Sequence, residues 1–495
     1  MIVVSACARI ALGATIGLGV DESYAVAVAR PVSLSYFDHP PLAFWIAAAA
    51  EKVFGTRSDV LLRLPFIVLF AGTTWLMYRL AARLFSERAG VLAAVLVSVI
   101  PVFGVSDGGW ILPDGPLLFA ITAVAVCLAH VVTAANDDTA RKWWLLSGLS
   151  AGAALLSKYH AVLLIAGVLA FFLTSPRHRR WLARPEPYVA ALIALAIAMP
   201  VVVWNARHGW VSFRFQFSRA GVHSGSSVTA LLQAVAGQAG YVLPWIWLPL
   251  AWLFLSALLR GPSSDAHWLL VCLGGGPIVV FTLLALGGRP GLPHWPAPGW
   301  FLIVPLLADA LARRERSSPA TVRAYLVGSA AIVVVLIALA ASQIRTGWVS
   351  HRLPALFAHG DPSLDALDWR EAQGPLAAAA RSAGQGVVIA ANWIDAGKLG
   401  AALAPGIAVL CLNDDSRHFR FVAERRPPVE GNALVVLRAL PNGGYERERE
   451  RLASYFQSLD STETISVHRS GDVAVRLIVY RGRTLRSLTL GSVRR

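Results

Sequence analysis

Three short stretches place acid where the chain breaks its apolar runs: "VDESYAVA" at Val20 to Ala27, "YFDHPP" at Tyr36 to Pro41 and "SDGGWILPDGP" at Ser106 to Pro116. A carboxylate at an aqueous edge can take a proton from a polar reactant. An ion-coupled carrier more often sets its acid near the middle of a span, and here the spans are almost free of acid. The pattern suits chemistry at an interface. Lys158, Arg207 and His294 stand in loops expected on the same side, so cations are available beside the acids.

The elements that must hold these loops follow from composition. Of 495 residues, 56% are hydrophobic and 15% charged, and 17 are tryptophan, which describes a polytopic membrane protein. The net charge of +15 sits in short clusters between apolar runs. That distribution excludes a nucleic-acid face and marks topology instead. Cys7, Cys127 and Cys272 lie in apolar segments and Cys411 in the polar tail, so no disulfide framework is expected. The run Ile2 to Val20 carries Arg9 as its one positive charge and reads as an uncleaved first span.

Hydropathy predicts roughly eleven membrane helices. They fall near 2–20, 60–82, 89–105, 115–134, 143–157, 160–174, 187–204, 238–259, 267–286, 297–312 and 323–343. Ser157 to Tyr159 divides the fifth from the sixth, with one long helix as the alternative. Arg79, Arg83, Arg88, "PRHRRWLARP" at Pro176 to Pro185 and "RRER" at Arg313 to Arg316 fall on one side, which is expected to be cytoplasmic. The acidic loops and the tail then face outward. The chain divides into a membrane domain, 1–343, and a domain over 344–495. In the latter "GVVIAAN" and "ALVVLRAL" predict strands, "YERERERLASYF" a helix, and "ETISVHRSGDVAVRLIVYRG" a hairpin turning at Ser470 to Asp472.

Taken in order, "DESYAVAVARPVSLSYFDHPPLAFWI", "RLPFIVLF", "LPDGPLLF", "LSKY", "WNARHGWVSFRFQ" and "PHWPAPGW" closely resemble bacterial members of glycosyltransferase family 39. These are relatives of protein O-mannosyltransferases and lipid A aminoarabinose transferases. The resemblance covers roughly the first 340 residues and implies a polytopic α-helical GT-C fold, while the tail over 344–495 reads from its own pattern as a small extracytoplasmic α/β domain. It implies sugar transfer, with inversion, from a polyprenyl-phosphate donor to a lipid, glycan or protein acceptor at the outer face of a bacterial cytoplasmic membrane.

The resemblance also assigns residues. The acidic pair after the first span, here Asp21 and Glu22, supplies the catalytic carboxylate, with Asp21 as general base; the other role for the pair is to cap a helix beginning at Ser23. Asp114 matches the acid of the second outer motif, where it would bind acceptor or metal or simply cap the fourth span. Asp107 is a weaker candidate, a loop acid. Asp38 and His39 would face the donor headgroup; aminoarabinose transferases have an acid and a lysine there, so His39 departs from that pattern and its charge depends on pH. Lys158 is the better phosphate ligand, unless it snorkels. Arg207, His208, Arg214 and Arg219, interleaved with Trp210, Phe213, Phe215 and Phe217, suit an interfacial segment meeting anionic phosphate or headgroups. His294 and Trp295 would line the sugar pocket or join the aromatic belt.

Metal dependence stays open. Asp21, Glu22, Asp107 and Asp114 could offer oxygen to a divalent cation, but their spacing matches no binding loop. The alternative function is a transporter or flippase for the same lipid-linked sugar; a purely structural envelope partner is a third reading, disfavoured by the clustered acids.

Overall fold

The computed structural model describes residues 1–55, 58–220, 227–288, 291–358, 360–382, 387–403, 405–424, 432–439 and 444–485. Its helices in chain order begin with α1 (Ile2–Thr15), α2 (Val20–Ala29), α3 (Leu42–Phe54), α4 (Asp59–Leu84), α5 (Glu87–Val99), α6 (Asp114–Val132) and α7 (Asp137–Ser157). There follow α8 (Ala161–Thr174), α9 (Glu186–Arg207), α10 (Val211–Ala220), α11 (Val228–Val242), α12 (Pro244–Arg260), α13 (Asp265–Leu284), α14 (Ala297–Ser317) and α15 (Pro319–Thr346). After these come α16 (Trp348–Arg352), α17 (Gln373–Ser382), α18 (Trp393–Ala402), α19 (Phe419–Glu424) and α20 (Gly444–Ala453). Five strands, β1 (Val387–Ala390), β2 (Ala408–Cys411), β3 (Ala433–Arg438), β4 (Phe456–Arg469) and β5 (Asp472–Leu485), lie among the later helices.

Among the described residues, α4, α6, α9, α13 with the turn that extends it, and α15 are long and apolar enough to cross a membrane, and seven crossings result if two bent pairs each count as one. Of the roughly eleven expected spans, five to seven meet this measure of length and composition. The expected span 2–20 ends at Thr15, and the chain turns 87° into α2. The expected span 238–259 is broken at Leu243 into α11 and α12, bent by 113°; Leu243 has φ 81 and precedes Pro244, which cannot continue the hydrogen bonding of α11. α5 has 13 residues, about 20 Å at 1.5 Å per residue, short of a hydrocarbon core of about 30 Å. The division at Lys158 to His160 is real: α7 stops there and α8 starts anew.

The chain forms two compact units, each drawn from separated segments. The first comprises 1–10, 34–43 and 64–335. In it α7 packs on α6 and α9, α13 on α8 and α14, and α14 on α5. Small residues permit this closeness. A Cβ on Gly148 would lie 2.5 Å from the Ala190 carbonyl oxygen, and one on Gly152 would lie 2.6 Å from Ile197 Cβ, so this Gly-x-x-x-Gly pair is the seat of α9 on α7.

The second unit comprises 11–33, 44–63 and 336–495. Its sheet runs β2-β1-β3-β5-β4, with β1 parallel to β2 and β3 and the other pairs antiparallel. Residues 433–437 of β3 are buried throughout, as a central strand requires. The expected hairpin is present: Arg469 pairs with Asp472, and Ser470 and Gly471 turn with φ 51 and 90, the handedness that suits a two-residue hairpin. Both other strands read from sequence are found, as β1 and β3, although Gly386 and Leu440 at their edges lie outside the described residues. Ile389, Leu410, Val435, Leu437, Leu452 and Phe456 form the core against which α20 packs. In this unit α18 lies along α2.

Gly148→Leu is expected to force α7 from α9 and cost at least about 1–3 kcal/mol. The lipid-facing Leu149→Ala, at an exposed position, should change stability by less than about 0.5 kcal/mol. Thermal unfolding of the two purified variants in one detergent checks the difference.

Candidate functional site

Within the first unit, four breaks in regular structure bring polar groups together. Asp114 opens α6 and is 8% exposed. Lys158, in extended conformation where α7 ends, donates through Nζ to both Asp114 oxygens at 2.8 and 2.9 Å and is itself 4% exposed. A buried ammonium between two carboxylate oxygens is a compensated charge, whereas either partner alone would be expensive to bury. Lys158 therefore does not snorkel, and Asp114 does more than cap.

Asp107 closes a π-helical turn over Val102–Asp107 and is buried. Burial, then the nearby Asp114 carboxylate, raises its carboxyl well above the usual range, against the pull of Lys158. Arg9, buried without an acidic side chain as hydrogen-bond partner, donates through Nε to the carbonyl of Gly104 in that turn at 2.6 Å and lies 4.5 Å from the Phe70 ring centre. His294 and His160 face the Asp114–Lys158 pair. Burial, then Lys158, holds His294 down to about 4 although Asp114 opposes the shift. His160 is lowered well below its ordinary value for the same leading reasons, and it packs on Phe281, 4.5 Å between ring centres.

The loop that holds Asp38 and His39 is fixed by α10. Gln216 donates to the Asp38 carbonyl at 2.6 Å, Ser212 Oγ to the Tyr36 carbonyl at 3.1 Å, and Phe37 packs on Phe215. Asp38 is buried and His39, half-buried, faces His160. Arg219 lays its guanidinium over Trp295 at 5.3 Å and Phe215 at 5.5 Å from the ring centres, a planar cation stacked on aromatic faces. Arg207 and Arg214 are exposed and are not drawn into this cluster. His208 stacks on Trp204.

Asp21 and Glu22 belong to the second unit. The helix there begins at Val20, three residues before the position expected from sequence, with Gly19 as its N-cap. Glu22 is 2% exposed; its Oε2 accepts from the Gly19 N–H at 2.8 Å. Arg63, 1% exposed, donates to both Glu22 oxygens, from Nε at 2.8 Å and from Nη2 at 2.5 Å. The remaining N–H groups of Arg63 meet the carbonyls of Gly13, Ile16 and Gly17 at 2.8–3.1 Å. Asp21, in the same first turn, is exposed.

Arg63 and His160 lay inside stretches quoted from the sequence, "RLPFIVLF" and the residue after "LSKY", but received no role. A charged residue one turn into an apolar helix was the available signal for Arg63. Among the described residues no group of three or more His, Cys, Asp or Glu side chains gathers as a metal site.

A bundle of broken apolar helices with its polar groups collected at loop ends, followed by a small mixed sheet, is a fold this chain shares with a solved membrane protein, ArnT. The sequence model of the dolichyl-phosphate-mannose-protein mannosyltransferases matches residues 38–204. The structure of ArnT from Cupriavidus metallidurans in the apo state superposes with a TM-score of 0.64 over 97% of each chain at 16% identity. The lipid A galacturonosyltransferase of Rhizobium johnstonii is 24% identical over 54% of this chain and 55% of its own length. The undecaprenyl phosphate-alpha-4-amino-4-deoxy-L-arabinose arabinosyl transferase 2 of Proteus mirabilis is 24% identical over 63% of this chain and 57% of its own. The chain thus spans little more than half the length of the curated relatives it matches.

His294 sets a pH dependence. The unfolded imidazole takes a proton below about 6.5, while the folded one resists to about 4. Between those values the unfolded state binds the extra proton, so stability falls as pH falls. His294→Gln is expected to lose less thermal stability than the parent between about pH 7 and about pH 4.5. Equal losses in both proteins, read by intrinsic fluorescence, would refute the assignment.

Proposed function

We propose that the chain is an inverting glycosyltransferase that moves a sugar from a polyprenyl-phosphate donor to a lipid, glycan or protein acceptor at the outer face of a bacterial inner membrane. The observation that carries the reading is the cluster of Lys158, Arg219 and aromatic rings at the loop ends of the first unit, cations placed where an anionic headgroup can arrive. The fold supports it: a second structure of ArnT from Cupriavidus metallidurans, bound to undecaprenyl phosphate, superposes with a TM-score of 0.60 over 97% of each chain at 16% identity. The matched relatives are named for transfer to lipid A and for an undecaprenyl-phosphate-linked aminoarabinose.

In this reading the exposed Asp21 carboxylate accepts the proton of an acceptor hydroxyl. The hydroxyl oxygen bonds to the anomeric carbon from the face opposite the phosphate, and the carbon–oxygen bond to phosphate breaks. Polyprenyl phosphate leaves with the electron pair, its charge met by Lys158 and Arg219. Glu22 holds Asp21's helix in place. Asp114 keeps Lys158 oriented, and Asp107, His160 and His294, in which burial disfavours the charged form, line the pocket with hydrogen-bonding groups. Asp38 and His39 approach the headgroup, and the exposed Arg207 and Arg214 meet anionic lipid. The tail, in this topology, lies outside.

Asp21→Asn keeps the side-chain shape but removes the base. It is expected to lower turnover by about 10²–10⁴-fold with undecaprenyl-phosphate binding kept within about twofold. The assay follows release of undecaprenyl phosphate from undecaprenyl-phosphate-linked sugars in proteoliposomes. A flippase would instead keep its donor flux in this variant and cleave no donor in the parent.

A further inference from the structure

Among the described residues the second unit buries Lys398 as well as Arg63 and Arg469, and Lys398 belongs to the C-terminal α/β segment. Lys398, in α18, is 4% exposed. Its hydrogen-bond partners are main-chain oxygens: Nζ donates to the Leu18 carbonyl at 2.6 Å and to the Leu367 carbonyl at 3.1 Å. Burial, against the opposing pull of Glu22, Asp365, Asp368 and Asp59, lowers its ammonium to about 8. An apolar residue would fill that space without the cost of desolvating a charge, so the lysine answers a need for a donor.

That need is at the elbow between α1 and α2. The four residues Ile16 to Gly19 belong to neither helix, and Arg63 already takes the carbonyls of Gly13, Ile16 and Gly17. The Leu18 carbonyl, which Ser23 Oγ reaches only at 3.4 Å, is the remaining one of the buried part of the elbow, and Leu18 lies three residues before Asp21. The same C-terminal segment grips the rest of α2. A Cβ on Gly400 would lie 2.5 Å from Ala27 Cβ, the His418 N–H donates to Tyr24 Oη at 3.1 Å, and Arg30 donates to the Gly400 carbonyl at 2.6 Å. Tyr24 also meets Trp393 edge to face, 5.5 Å between ring centres.

We infer that Lys398 is a positioning residue for Asp21: by holding the Leu18 carbonyl it fixes the elbow from which α2 projects its first-turn acid, so the C-terminal segment sets the geometry of the base. The inference rests on Asp21 being that base. It assigns the tail a part in the chemical step, separate from any part in acceptor choice.

Lys398→Met keeps the aliphatic stem and removes the donor. In the full-length protein in nanodiscs, with the undecaprenyl-phosphate-linked sugar that the parent turns over, kcat is expected to fall at least about tenfold with donor KM within about twofold. Amide exchange should rise over Gly19 to Tyr24 and stay unchanged in the strands β1, β3 and β5. Lys398→Gln, shorter but still a donor, should fall between parent and Met variant, and it carries the test if Lys398→Met does not fold. Wild-type kcat and wild-type exchange at Gly19 to Tyr24 would overturn the inference. So would a rise in KM alone, or exchange that rises across the whole sheet. Asp21→Asn run in parallel separates the two ideas. If it keeps full turnover, the base assignment fails; if it loses turnover while Lys398→Met does not, the positioning role fails alone.

Discussion

The second unit turns on a single guanidinium. Arg63 carries five N–H donors in a fixed fork, and all five are engaged: two on Glu22 and three on the carbonyls of Gly13, Ile16 and Gly17. A helix that ends abruptly leaves its last carbonyls without partners, and water normally repairs this. Here the end of α1 is buried, so a side chain must do it. Gly17 also has to be glycine, because a Cβ there would lie 2.7 Å from the Asp368 nitrogen. The ion pair is tolerable in a dry setting because every donor and both carboxylate oxygens are used. Replacing Arg63 would strand three carbonyls and a carboxylate together, which is why the elbow, the helix start at Val20 and the burial of Glu22 stand or fall as one arrangement.

The first unit solves a different problem, that of assembling charge at the ends of apolar helices. Close helix packing through Gly148, Gly152 and Gly167 leaves little room between helices, and polar groups gather where helices stop. Lys158 reaches Asp114 because α7 ends in an extended residue instead of continuing into α8. Asp107 is placed by a π-turn whose widened ladder frees the Gly104 carbonyl for Arg9. Burial disfavours the charged form of Asp107 and of both histidines; beside them stand the Asp114–Lys158 pair and Arg219 on its aromatic rings. A pair that is already neutral overall attracts an anion weakly.

Hydropathy made the helices legible, because an apolar run of sufficient length has few other options near lipid. It could not show where they break. Leu243 looks like any leucine in an apolar run, although it stands before Pro244 and takes φ 81. The loop acids were visible as chemistry, and Lys158, Asp114 and His294 do converge. Arg207 and Arg214 do not, since alternation of basic and aromatic residues marks an interface without saying which side chain turns inward. β2 escaped notice because "AVLC" is four residues and has no alternation, and Lys398 escaped because "WIDAGKLGAA" reads as an ordinary helix face. A lysine's choice between water and a carbonyl 380 positions away has no local signature. For the same reason no local signature shows how the settings of Asp21 and Glu22 divide.

That division follows from helix geometry. Successive residues of an α-helix point about 100° apart, so adjacent acids cannot share one environment when the helix lies against a wall. Val20 begins the helix, Asp21 falls on the exposed side, and Glu22, one step further, falls on Arg63. At the third helical position Glu22 also reaches back to the Gly19 amide, the standard reach for a glutamate there. An aspartate at 22 would be one methylene too short to take the cap and the guanidinium together. Glu22 gives up both oxygens to hold the turn, and a carboxylate whose lone pairs are so occupied is a poor proton acceptor. Its neighbour Asp21, in the same turn, is exposed.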